Sequence, residues 1–210
     1  MKYLTSTTAA VRAPLTLLAL AAVTLLGGCV APLMLGGAMA GGAMSFTDRR
    51  TTGTQLEDET IELKSGGRLR EVLGDRSHVN VTSFNRQVLL TGETPTEADR
   101  LAAEKAVAQI ENVHATVNDL TVGGNSAMTA RANDTIITSK VKASYLDAKD
   151  LQSNAIKVVT ERGTVFLMGR VTERESTRAG EIARSVGGVS RVVKVFEIIS
   201  DAELAKLQSR

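Results

Sequence analysis

The chain has 210 residues, 43% of them apolar but only 3% aromatic, with one cysteine and a formal net charge of +2. A single thiol excludes an internal disulfide framework. So few rings and so small a net charge exclude a nucleic-acid binder built on electrostatics and base stacking.

Lys2 and Arg12 stand in an N-terminal stretch without acids, ahead of the apolar run from Leu15 to Leu26. That run has the length of a signal-peptide core and is too short to span a bilayer comfortably. Leu26-Gly27-Gly28-Cys29 resembles the bacterial lipobox. The resemblance implies diacylglyceryl transfer to the Cys29 sulfur, cleavage after Gly28 and acylation of the new amine. Residue 30 is valine rather than the aspartate that retains lipoproteins in the inner membrane, which implies the outer membrane, with the chain facing the periplasm. A single acyl chain holds weakly and several hold stably, at roughly 0.8 kcal/mol per buried methylene. Val30 to Phe46 is uncharged and contains four glycines, a composition that predicts a tether rather than a helix. These features divide the start of the chain into a signal at 1–28 and an acylated, tethering stretch at 29–55.

The rest is one unit written twice. Val79-x-Val81 and Val88-x-Leu90 alternate around Asn85-Arg86, and Ile156-x-Val158 and Val165-x-Leu167 alternate around Arg162-Gly163, so each copy contains a hairpin. Gly92 and Gly169 are expected to end the second strands. Thr96 and Thr172 can cap the helices that follow. Their inward stripes are predicted as Leu101, Val107 and Ile110, and as Ala179, Ile182, Ala183 and Val186. Third strands follow at Val113 to Val122 and Val189 to Ile199, with Asn118 and Asp119 facing solvent. Ahead of the hairpins lie helices at Glu59 to Leu73 and Asp134 to Ala148. Each copy therefore reads helix, strand, strand, helix, strand. The boundaries are 56–123 for the first, 124–130 for the linker, 131–200 for the second and 201–210 for a C-terminal tail. Cores of about 65 residues are near the lower limit of self-sufficiency, so contact between copies would stabilise both.

VFLMG, VTERES and GGVSRV in the second copy, with NDTIITSKVK ahead of them, resemble the BON domain, a small module of bacterial envelope proteins. The resemblance implies an α+β fold, two tandem domains each with a three-stranded mixed sheet and two helices. In lipoproteins carrying two such copies, it further implies a non-enzymatic role in envelope integrity, with recruitment to division sites, and contact with anionic phospholipid.

No catalytic, cofactor or metal motif stands in the sequence. His78 and His114 are isolated and read as edge or surface residues. Glu173, Arg174, Glu175 and Arg178 read as a solvated helix start with local ion pairs. From Asp58 to Gly123 there are 7 Lys and Arg against 11 Asp and Glu; from Arg131 to Ile199 there are 12 against 8. The copies thus carry −4 and +4. A basic copy suits anionic lipid; alternatively the copies attract each other. In the helix from Asp134, Ile137, Val141, Tyr145 and Ala148 share one face. Ile136, Ser139, Lys140 and Ala143 face elsewhere and combine an apolar group, small residues and a cation, as an interfacial helix requires. The resemblance points to this helix as the phospholipid-contacting element, with an aliphatic Ile136 where an aromatic residue can stand. The rival reading is an adaptor whose acidic first copy docks an outer-membrane assembly machine or a cell-wall partner.

Overall fold

The computed structural model describes residues 48–208, and the lipobox, Cys29 and nearly all of the tether lie outside them. In chain order the elements are α1 (Thr52–Leu73), a 3-10 turn (Gly74–Arg76), β1 (His78–Phe84), β2 (Gln87–Thr94), α2 (Glu97–Ala108), β3 (Ala115–Asn118) and β4 (Thr121–Val122). The second copy follows as α3 (Met128–Asp147), a 3-10 turn (Ser153–Ala155), β5 (Ile156–Glu161), β6 (Thr164–Val171), α4 (Glu173–Ser185) and β7 (Arg191–Ile198), with α5 (Asp201–Gln208) after it. In each copy the hairpin is antiparallel and the last strand returns parallel to the central one, giving orders β1-β2-β3 and β5-β6-β7. This is the expected α+β unit, twice.

Both hairpins turn on two residues of positive φ, Asn85 (50°) with Arg86 (65°), and Arg162 (51°) with Gly163 (73°). Such turns match the twist of the strands they join. Each is held by a buried aspartate from the copy's first helix. Asp58 accepts the Asn85 and Arg86 N–H groups at 2.8 and 2.7 Å, and Asp134 accepts those of Arg162 and Gly163 at 2.8 Å each. The helix is thereby tied to the hairpin by otherwise orphaned backbone donors. Threonine caps behave as expected: Thr96 accepts the Asp99 N–H, and Thr172 with Glu175 forms a reciprocal capping box.

Several expectations are corrected. α1 starts at Thr52, capped by Thr51, and runs unbroken through Gly66-Gly67. Its buried stripe, Ile61, Ser65, Leu69 and Leu73, continues at helical spacing, and that packing outweighs a glycine cost of about 1 kcal/mol per residue. α3 likewise starts at Met128 rather than Asp134, and the tail forms α5. Leu101 does not join the α2 stripe; it is exposed, and Ala103 and Ala106 are buried beside the expected Val107. The third strand of the first copy breaks into β3 and β4, because Asn118 Oδ1 accepts the Leu120 N–H and makes a local turn. Asn118 does not face solvent, since its amide also donates to Arg100 O and Glu104. Gly92 and Gly169 stand inside their strands, paired with Val79 and Ile156. A Cβ there would lie 2.1 Å from His78 O or 2.4 Å from Ala155 O, so close backbone approach, not a sharp exit, demands glycine.

Three apolar clusters form. One face of each sheet packs on its own helices, through Val88 and Leu90 with Ile61 and Val107, and through Val165 and Leu167 with Ile137, Val141 and Tyr145. The opposite faces meet each other, where Phe84 and Leu89 pack with Phe166, Met168 and Val195. The central strands are therefore buried on both faces, and both copies share one compact unit.

Candidate functional site

The outward face of α3 follows from how firmly its inner face is held. Ile137, Val141 and Tyr145 are at most 1% exposed. The Tyr145 hydroxyl donates to Ala179 O of α4 at 3.0 Å, and burial pushes the phenol pKa up. Asp134, in the second turn of the helix, ties it to the β5–β6 turn, and Thr138 donates to Thr160 of β5 at 2.7 Å. The opposite face is then determined by the 3.6-residue repeat. Ile136 is 53% exposed, and Ser139, Lys140 and Ala143 are exposed beside it. The four residues singled out from the sequence therefore stand together on one solvent-facing surface.

The structure adds residues that the sequence reading missed. Met128 and Leu146, 75% and 71% exposed, fall on the same line as Ile136, together with exposed Ala132. The result is an apolar stripe over the whole helix, opposite Ile137, Val141 and Tyr145. Lys140 flanks it on one side and Lys142 on the other, and neither has an acidic partner among the described residues. The hydroxyls near the stripe are internally satisfied: Thr135 donates to Arg131 O at 3.1 Å and Ser139 to Thr135 O at 2.9 Å. Such a surface can enter an apolar phase without stranding a donor. The extension escaped notice because the helix was expected to start six residues later.

The basic excess of the second copy does not all face outward. Lys157 pairs with Glu62 at 3.0 Å, Arg191 with Asp119 at 3.0 Å and Arg162 with Glu93 at 3.7 Å, each joining a cation of the second copy to an acid of the first. Mutual attraction of the copies thus accounts for part of the charge opposition. Arg49 and Arg50 add a clamp where the chain enters the folded unit. Arg49 donates twice to Glu175 (2.6 and 2.8 Å) and once to Arg170 O (2.7 Å) in the second copy. Arg50 pairs with Asp58 of the first at 2.7 Å and lies 4.0 Å over the Phe84 ring. Glu175 is consequently buried, not part of a solvated helix start; Arg178 does make the local pairs, with Asp150 and Glu181.

A second polar cluster lies between the copies. Glu93 is fully buried; its Oε2 lies 3.2 Å from His78 Nδ1, and its Oε1 has no hydrogen-bond partner. Glu161, also buried, accepts from Asn80 at 2.9 Å. Burial pushes the Glu161 pKa up, the Asn80 bond opposes this, and the nearby Glu93 and Asp134 reinforce it. No nucleophile stands with this group. Among the described residues no set of His, Cys, Asp and Glu has the arrangement of a metal site, and no helix is long and apolar enough to cross a membrane.

Comparison with known proteins agrees with this architecture. The family model for the BON domain matches residues 57–124 and 133–200. The chain is 36% identical over 182 residues to "Outer membrane lipoprotein DolP" of Haemophilus influenzae, covering 86% of this chain and 93% of that protein. It is 32% identical to the "21 kDa hemolysin" of Actinobacillus pleuropneumoniae, over 72% of this chain and 79% of the other. It is 29% identical to "Osmotically-inducible protein Y" of Escherichia coli, over 67% and 72%. With two matched copies that each fold as a helix-flanked mixed sheet, the chain belongs to the BON-domain family.

Proposed function

We propose that the chain is a non-enzymatic lipoprotein, anchored through Cys29 in the outer membrane and facing the periplasm, whose second copy binds anionic phospholipid and supports envelope integrity. The observation that carries this reading is the outward face of α3. It presents Met128, Ile136 and Leu146 between two lysines that have no acidic partner among the described residues, on a helix whose inner face is buried. Apolar residues enter the acyl boundary while flanking cations meet phosphate, at about 1 kcal/mol per lysine. Similarity to an outer-membrane lipoprotein supports the address. Preference for anionic lipid would draw the protein to division sites, where membrane composition and curvature differ.

A polarity-sensitive fluorophore placed by Ile136→Cys, with Cys29 replaced, tests the contact. Its emission shifts to the blue on anionic vesicles, whereas the same probe at Leu63→Cys does not shift. Equal shifts at both positions, or none at Ile136→Cys, contradict the assignment. The anchor is tested separately by metabolic labelling with a fatty-acid probe, which Cys29→Ala abolishes.

A second reading has its own observation. Leu56 and Leu63 of α1 are 63% and 78% exposed on the acidic copy. That surface suits a protein partner, such as an envelope assembly or cell-wall component.

A further inference from the structure

The side of α1 turned away from buried Ile61, Ser65 and Leu69 carries Leu56, Thr60, Leu63, Gly67 and Arg70. Their spacing of four and three keeps them on one line along the helix. Leu56 and Leu63 are 63% and 78% exposed. The Thr60 hydroxyl donates to Leu56 O at 2.8 Å, so the line strands no donor when it is covered. Gly66 and Gly67 notch this helix, and the fold does not ask for them. Counting from the matching Asp58 and Asp134, their places in α3 are taken by Lys142 and Ala143. A Cβ at either glycine would meet no atom within 4 Å. Open hollows flank the notch, about 430 Å³ toward α2, lined by Gly67 and Ile110, and about 370 Å³ toward β1, lined by Gly66 and Val79. Such a notch lets a neighbouring helix approach closely.

The charges beside the line decide what the neighbour is. Glu59 and Arg70 flank it on one side, toward opposite ends. Neither makes an ion pair among the described residues, and the Arg70 side chain donates only to Gly66 O. On the other flank Lys64 is paired with Glu111, and Arg68 with Glu71. Two molecules laid with their α1 helices antiparallel place Leu63 of each over Gly67 of the other. The same register brings Glu59 of each beside Arg70 of the other. A parallel pair would set like charges together. We propose that the chain self-associates through this face, as an isologous dimer of antiparallel α1 helices. The proposal is independent of lipid binding and of α3. One helix pair is at the small end of specific interfaces, so the association is weak and concentration-dependent.

The test is sedimentation equilibrium of the full mature chain from micromolar to near-millimolar concentration, with Cys29→Ser to exclude acylation and disulfide-linked pairs. The expected result is a reversible monomer–dimer equilibrium. Leu63→Asp, Glu59→Arg and Arg70→Glu each weaken it by about tenfold or more, because each sets a charge in the apolar line or a like charge against its neighbour. Gly67→Leu fills the notch and weakens it as well. All four positions lie on the outward face of α1, and unchanged circular dichroism and melting of the dilute variants verify the fold. Glu59→Arg and Arg70→Glu, each dissociated alone, associate when mixed, and the double variant in one chain recovers the dimer. Ile136→Asp leaves the equilibrium unchanged. A wild type that stays monomeric throughout overturns the proposal and leaves this face to a different protein. Dimerisation that survives Leu63→Asp overturns it too, as does loss of the dimer in Ile136→Asp, which would place the contact on α3. Failure of the mixed and double charge variants to associate overturns the antiparallel pairing.

Discussion

Asp58 and Asp134 stand at equivalent places in the two copies and do the same work, accepting two turn N–H groups apiece from a buried position. Burial alone would push the Asp58 carboxyl up. The bonds from Ser83, the Arg86 N–H, Arg50 and the Asn85 N–H together outweigh it and hold the pKa below the ordinary range. At Glu175 burial also acts upward, and Arg49 with the Thr172 N–H wins in the same way. A carboxylate depressed in the folded state contributes stability above its unfolded pKa and loses it as pH falls through the folded value. Asp58→Asn is therefore expected to cost about 3 kcal/mol at pH 7, since it removes the buried charge facing Arg50 and sets an NH2 donor where one carboxylate oxygen accepts from Arg50 and the Asn85 N–H. The penalty shrinks in thermal melts taken at pH values progressively below ~4. Glu161 has the opposite sign. Its folded pKa is raised, so its contribution is fully present below the unfolded pKa and lost as pH rises through the folded one. Glu161→Gln should raise the melting temperature at pH 7 and give no gain near pH ~4. A lower melting temperature at pH 7 would show that the ionised carboxylate is needed there.

At the level of elements, α1 is the most informative case. Gly66 and Gly67 are poor helix formers, yet the helix passes through both, and a Cβ at either position would meet nothing within 4 Å. Gly66→Ala with Gly67→Ala should therefore stabilise the protein, by about 1–2 kcal/mol in total. Gly92→Ala should do the reverse, because its φ of 111° and the His78 carbonyl both exclude a Cβ. Chemical denaturation of the variants checks both signs. The order of elements, both hairpin turns and the buried face of α3 were legible in the sequence, because period-two and period-3.6 patterns and turn residues are local signals. The start of α3 was not, since Ala127 offers no capping side chain to mark it. Nor was the broken third strand, which depends on where the Asn118 amide finds partners in α2.

Across the whole molecule, the least legible feature was the packing of one copy on the other. The signal was nonetheless present: Val88-Leu89-Leu90 and Val165-Phe166-Leu167-Met168 are apolar without alternation, as strands buried on both faces are. Leu89, Phe166 and Met168 are the residues that meet between the sheets. Cation–acid pairs then bridge the copies around that contact. Lys157→Glu should destabilise the protein by about 1 kcal/mol, and Glu62→Lys in the same chain should restore most of the loss, because the pair is partly exposed. No recovery in the double variant would mean that Lys157 acts through Ser83 O instead, which it also contacts at 3.3 Å.

With the copies locked together and the inner face of α3 fixed, its outward face is left as the surface that we propose meets lipid. Flotation of the unacylated mature chain with phosphatidylglycerol vesicles measures this directly, with phosphatidylcholine vesicles as the control. The account predicts flotation with the anionic vesicles only, weakened as salt rises from 0.1 to 0.5 M, since exposed charges are screened beyond about 10 Å at 0.1 M. Ile136→Asp should abolish it and Lys140→Glu should weaken it tenfold or more, since losing the lysine costs about 1 kcal/mol and the glutamate adds a repulsion of similar size. Melting temperatures should stay within about 2 °C of the wild type, as expected of exposed positions. Undiminished flotation of the Ile136→Asp, Lys140→Glu double variant with an intact fold would contradict the account, and so would a melting temperature lowered by many degrees in Ile136→Asp.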